Sequence, residues 1–155
     1  MKKILLILPA LLLNVATLLS QESDSLSAKK WNLGADLNLY MIPGDVFLLP
    51  VIRADKNTLH LEARYNYEDF QTVSLWGGYN FKGGKKLKYI LTPMAGVVVG
   101  NTNGFAIGFE MTLDFKRFEL YSESEYLMDV SDKENNYTYN WSNLSYYPFD
   151  WLWVG

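Results

Sequence analysis

The chain has 155 residues, 49% of them hydrophobic and 20% charged, with a formal charge of −3 and no cysteine. One domain fits that length, and an acidic chain without a basic stripe excludes a nucleic-acid partner. The lack of cysteine excludes disulfide staples and a lipidated N-terminal cysteine, so backbone pairing and burial must hold the fold.

Lys2 and Lys3 open the chain and precede an apolar run over residues 4–19, interrupted by Pro9 and Asn14. As a helix that run spans about 24 Å, short of the roughly 30 Å of a bilayer's hydrocarbon layer. It reads as a secretory signal peptide over 1–20, cut after Ser20 to leave Gln21. Removing it takes away two lysines and no acids, which makes the mature chain more acidic still. Residues 21–30 are polar, serine-rich and aperiodic, a lead-in on the periplasmic side.

From residue 31 onward the chain keeps a two-residue rhythm, and side chains that alternate faces of a strand follow that period. Strands are expected over 31–41, 46–54, 58–67, 71–82, 86–100, 104–115, 117–129 and 136–147, with a ninth begun at 150. Turn chemistry separates them, including Pro43-Gly44-Asp45, Asp55-Lys56-Asn57, Gly83-Gly84 and Asn101-Thr102-Asn103-Gly104. Links this short join neighbouring antiparallel strands, so the expected topology is an up-and-down meander. Two strands fit less well. The second is apolar on both faces and carries Pro50, which leaves its register open. The fifth holds Pro93 and Gly96, which predicts a bulge or a locally broken ladder.

Each strand has an oily face and a polar one. In the first, Leu33, Leu37 and Leu39 oppose Asp36 and Asn38. In the third, Leu59, Leu61, Ala63, Tyr65 and Tyr67 oppose Thr58, His60, Glu62, Arg64 and Asn66. In the sixth, Phe105, Ile107, Phe109 and Leu113 oppose Gly104, Gly108, Glu110 and Asp114. Charges mixed with glycine and small residues suit a crowded polar interior better than a water-washed surface. The expected fold is therefore an all-β, antiparallel, up-and-down transmembrane β-barrel over 31–155, with eight or nine strands present. Aromatic residues, 15% of the chain, gather near the strand ends, where amphipathic rings meet lipid headgroups. Soluble β domains are also aromatic-rich.

Alternate turns carry opposite charge. One set holds Asp55, Lys56, Lys82, Lys85, Lys86, Lys88, Lys116 and Arg117; the other holds Asp45, Glu68, Asp69, Asp129, Asp132, Lys133 and Glu134. With the N-terminus in the periplasm, the basic rim faces the periplasm. The longest connection, 130–136, then faces outward, where barrel loops are longer.

The only histidine, His60, shares a face with Glu62 and Arg64. A member of a polar network is the plain reading, and a lipid-modifying site with Ser74 is the catalytic one. Glu119, Tyr121, Glu123 and Glu125 share a face of the seventh strand, with Arg64, Arg53 and Lys88 as candidate partners. Successive side chains on a face lie about 7 Å apart, and three like charges on so short a strip need cations opposite them. The strip is either a cation-attracting lumen or an internal ion-pair plug. Asp36, Asn38, His60, Glu62, Arg64, Glu110, Glu119, Glu123 and Glu125 make up the expected lumen network. No phosphate loop, no metal-ligand spacing of His and Cys and no nucleophile elbow occurs, so no catalytic, cofactor or metal residue is assigned.

On the leader, the alternation and the runs at 59–69 and 118–126, the chain resembles outer-membrane β-barrel proteins of Gram-negative bacteria that have no assigned activity. The resemblance is structural and carries no catalytic residue with it. It implies the cell outer membrane as location, with lipid and the barrel-assembly machinery as partners. Such barrels end in a strand with a terminal aromatic, whereas this chain stops at Trp151-Leu152-Trp153-Val154-Gly155, so a longer barrel of ten to twelve strands is expected. Three functions follow: a structural barrel or narrow passive pore for small solutes, a soluble periplasmic lipocalin-like barrel holding an apolar ligand, and a lipid hydrolase or acyltransferase using His60.

Overall fold

The computed structural model describes residues 30–42 and 44–155. The signal peptide expected at 1–20, and the lead-in except Lys30, lie outside the described residues. Ten strands form one sheet: β1 Asn32–Ile42, β2 Asp45–Lys56, β3 Leu59–Tyr65, β4 Val73–Tyr79, β5 Phe81–Gly83, β6 Leu87–Val99, β7 Gly104–Phe115, β8 Phe118–Asp129, β9 Tyr137–Phe149 and β10 Leu152–Val154. Each neighbour in the order β1-β2-β3-β4-β6-β7-β8-β9-β10 pairs antiparallel, with β5 also on β6. The expected meander is therefore the observed one.

The sheet curls until β3 faces β8 across a narrow interior, although β4, β6 and β7 stand between them. Arg64 Nη1 on β3 lies 2.8 Å from Glu123 Oε1 on β8. β1 pairs only with β2 and β10 only with β9, so the sheet stays open along those edges.

Ten strands replace the expected eight or nine because the strand expected at 71–82 is cut into β4 and β5. Both pieces keep one register against β6, with Gly78 opposite Met94 and Phe81 opposite Leu91. The break has a backbone cause. Asn80 donates its N–H to Thr58, so even-numbered residues of β4 bond β3 and odd-numbered ones face β6. Continuing that register places Tyr79 against Pro93, which has no N–H to give. The opposite ladder does not need that group, and β6 pairs with β7 without a slip from Leu87↔Phe115 to Val98↔Gly104. Pro93 thus breaks one ladder and bulges neither.

The doubtful second strand also has a definite register, running from Asn32↔Asp55 to Ile42↔Asp45 against β1. Its inner face changes character along its length: Leu49 and Val51 are buried, while Leu48 and Ile52 on the other face are exposed. Further along, Arg53 points toward Glu62 on the inner side.

β3 ends earlier than expected. Asn66 adopts a left-handed backbone (φ 57°), and so does Gln71 (φ 53°). The connection 66–72 closes through Asn66 N–H to Thr72 O at 2.9 Å and Gln71 N–H to Asn66 Oδ1 at 2.8 Å. It is as long as the connection 130–136, which carries a 3-10 turn at Lys133–Asn135. Leaving the strand at Asn66 also breaks the alternation. Tyr67, expected on the oily face, turns inward.

Burial runs opposite to that of a water-soluble domain. Leu75 and Ile107 are each 56% exposed, whereas Arg64 is 2% and Glu62 4% exposed. The inner apolar residues form one small cluster of Trp76, Met94, Val98, Ala106 and Leu127, with Tyr137 packed against it. Glycines on the same inner face make room for the indole. A Cβ on Gly96 would lie 2.6 Å from Trp76 Cδ2, and one on Gly108 would lie 3.1 Å from Trp76 Cζ3.

Candidate functional site

The strand period puts His60, Glu62 and Arg64 on the inner face of β3, and the curl of the sheet brings β7 and β8 opposite. Arg64 sits at the centre. Its Nη1 lies 2.8 Å from Glu123 Oε1 and 3.2 Å from Glu125 Oε2, and its Nη2 lies 3.1 Å from Glu62 Oε2. Glu110 and Glu68 stand at 3.5 and 3.8 Å. The guanidinium also lies against two rings, 4.5 Å from the Tyr67 centroid and 4.8 Å from that of Trp76. A planar fork with five donors is suited to several carboxylates at once, which an ammonium is not.

Short hydrogen bonds complete this layer. Tyr67 donates its hydroxyl to Glu123 Oε2 at 2.8 Å. Glu68 accepts from Ser74 Oγ at 2.6 Å and from Trp76 Nε1 at 3.1 Å. Ser74 therefore serves Glu68, and the His60–Ser74 pairing entertained from the sequence does not form.

A second layer lies toward the β2–β3 turn. Arg53 pairs with Asp36 through Nη1 and stands 3.3 Å from Glu62 through Nε. His60 Nδ1 lies 3.0 Å from Asp55 Oδ1, which also accepts from Asn80 Nδ2 at 2.6 Å. Asn80 in turn accepts from Thr92 Oγ1 at 2.6 Å. Beneath these groups a cavity of about 220 Å³ is lined by His60, Glu110, Thr112 and Tyr121 and reaches Lys82 at the basic end.

Of the expected lumen residues, Asp36, His60, Glu62, Arg64, Glu110, Glu123 and Glu125 meet in these two layers. Two do not. Glu119 stands apart and accepts only a long bond from Tyr147 at 3.4 Å, and Asn38 is half-buried without a side-chain hydrogen bond among the described residues. Of the expected cations only Arg64 meets Glu123 and Glu125; Arg53 pairs instead with Asp36 and Glu62, and Lys88 forms no ion pair among the described residues. Tyr67, expected on the oily face, and Glu68, expected in an acidic turn, join the interior instead because both belong to the connection after Asn66, where alternation no longer applies.

Comparison of the chain with protein-family models, curated proteins and solved structures found no match. The five glutamates of the interior outnumber Arg64 and Arg53, so the interior is anionic, and side chains fill it at the level of Arg64.

Proposed function

We propose that the protein is an outer-membrane β-barrel with a structural role, closed inside by the Arg64 cluster. The observation that carries this reading is the reversal of faces. Leucine, isoleucine, valine and phenylalanine cover the outside, whereas arginine, glutamate and histidine are buried. In water such an exterior is an aggregation surface far larger than monomers tolerate; in acyl chains it is the favourable side.

The exposed aromatics support the same reading. Toward the basic end stand Trp31, Tyr79, Phe81, Phe115, Phe118 and Tyr146, and toward the acidic end Tyr40, Tyr65, Phe70, Phe105 and Tyr126. Between them the outer face is mainly aliphatic, with Leu37, Leu61, Leu75, Val97 and Ile107. Phe105 and Phe115 on β7 are separated by roughly 34 Å along the strand, or about 26 Å at a tilt of about 40°. That height matches the apolar band of an outer-membrane barrel. A lipocalin-like carrier needs an apolar interior, and an arginine ringed by glutamates is the wrong lining for it.

Lipid and the barrel-assembly machinery are the partners this reading implies. Expression in a Gram-negative host followed by fractionation tests it. The protein should remain with the outer membrane after alkaline extraction and require detergent for solubility; recovery as a soluble periplasmic protein overturns the proposal. In proteoliposomes it should release small sugars no faster than empty vesicles do, and steady release overturns the closed interior.

A further inference from the structure

His60, Glu62 and Glu110 have one feature in common beyond burial. Each carries a buried side-chain atom without a hydrogen bond, His60 Nε2, Glu62 Oε1 and Glu110 Oε1, although Arg53 Nε stands 3.3 Å from Glu62 Oε1 and Arg64 Nη2 stands 3.5 Å from Glu110 Oε1. Each residue is at least nine-tenths buried, with His60 and Glu62 at 4% and Glu110 at 8% exposure. Their ligand-capable atoms all lie within 4.8 Å of one another. A buried polar atom left without a hydrogen bond is costly, and His60 Nε2, which faces only Glu62 Oε2 at 3.6 Å and has no arginine beside it, is the atom that most calls for a further partner.

The surroundings fix what that partner is. Asp55 accepts from His60 Nδ1, which leaves Nε2 as the lone-pair nitrogen, and Asn80 and Thr92 hold Asp55 in turn. A carboxylate behind an imidazole is the support metal-binding histidines almost always have. His60 and Glu110 also line the cavity that reaches Lys82, which provides a way in and room for water ligands.

We propose that His60 Nε2, Glu62 and Glu110 form a binding site for one divalent transition cation, of which Zn²⁺ suits the donor set best. One imidazole and two carboxylates, completed by water, form an ordinary zinc environment, whereas Mg²⁺ and Ca²⁺ prefer oxygen alone. The site rests on interior geometry and does not depend on whether lipid surrounds the barrel. β3 and β7 bring the ligands together across the curl of the sheet, so no spacing along the chain discloses the site.

The test is a calorimetric titration of ZnCl₂ into the chelator-stripped, detergent-purified full chain. One saturable equivalent is expected, with Mg²⁺ in excess failing to compete. Glu110→Gln and His60→Gln should abolish saturable binding, Asp55→Asn should weaken it by about 10- to 100-fold, and Glu119→Gln should leave it unchanged. Circular dichroism and heat-modifiable gel migration identify variants that fold. X-ray absorption of the zinc-loaded wild-type protein provides a reading that needs no variant, with one imidazole in the shell expected. No saturable binding by the wild type, undiminished binding by folded Glu110→Gln or His60→Gln, or an all-oxygen shell overturns the proposal.

Discussion

Arg64 touches more of the interior than any other single side chain. It faces Glu62, Glu123 and Glu125 within 3.2 Å and lies over the Tyr67 and Trp76 rings. Removing one partner of a buried ion pair leaves the other charge uncompensated, which costs about 3–5 kcal/mol. Arg64→Ala should therefore lower the unfolding free energy by that amount in a urea titration in detergent. Arg64→Lys should recover less than half of the loss, because one ammonium cannot meet Glu62 and Glu123 on opposite walls in fork geometry. A gentler change probes the same layer. Tyr67→Phe deletes one hydroxyl donor to Glu123 and should cost about 1.5–3 kcal/mol in the same titration. At this scale the sequence was informative about identity and less so about partners. His60, Glu62 and Arg64 were legible as an inner-face set because alternation alone places them. Glu68 was read as a turn acid, yet its carboxylate is buried against Ser74 and Trp76, since the loop after Asn66 folds inward and follows no period.

Among the elements, Pro93 and the glycines beside Trp76 show how local chemistry shapes the sheet. The missing N–H of Pro93 separates β4 from β5 while β6 and β7 stay paired throughout. Pro93→Val supplies that donor to Tyr79 from an outward-facing position. It should stabilise the sheet by about 0.5–1.5 kcal/mol, and hydrogen exchange should find the new amide at 93 protected. The opposite effect is expected at Gly96, where a Cβ would lie 2.6 Å from the Trp76 ring. Gly96→Ala should destabilise by about 1–3 kcal/mol, and Trp76→Leu in the same chain should recover part of that loss in a double-mutant cycle. The strands themselves were legible because a half-buried strand writes its two faces directly into the sequence. The register of β2 was not, because a strand apolar on both faces allows either assignment until β1 fixes the pairing. The break at Pro93 was visible only as an irregularity. Which ladder it interrupts depends on the parity of hydrogen bonding between β3 and β4, which composition does not encode.

For the whole molecule, the meander places the β2–β3, β5–β6, β7–β8 and β9–β10 turns at one end and the remaining connections at the other. The charges lean the same way, with Lys56, Lys85, Lys86, Lys116 and Arg117 against Asp55 and Asp150 at the first end, and Asp45, Asp69, Asp132 and Glu134 against Lys133 at the second. On the proposed membrane reading, short turns face the periplasm and longer loops face outward, which orients the basic end inward. The absence of cysteine makes this orientation directly measurable, because any introduced thiol is the sole reactive one. Lys133, exposed beside the 3-10 turn, and Lys85, exposed beside Gly84, are suitable sites at opposite ends. In intact cells a membrane-impermeant maleimide should label Lys133→Cys and spare Lys85→Cys, and permeabilising the outer membrane should expose both. Labelling of Lys85→Cys alone inverts the orientation and leaves the fold intact. Equal labelling of both in a soluble periplasmic extract instead removes the membrane, because it leaves the apolar outer face against water.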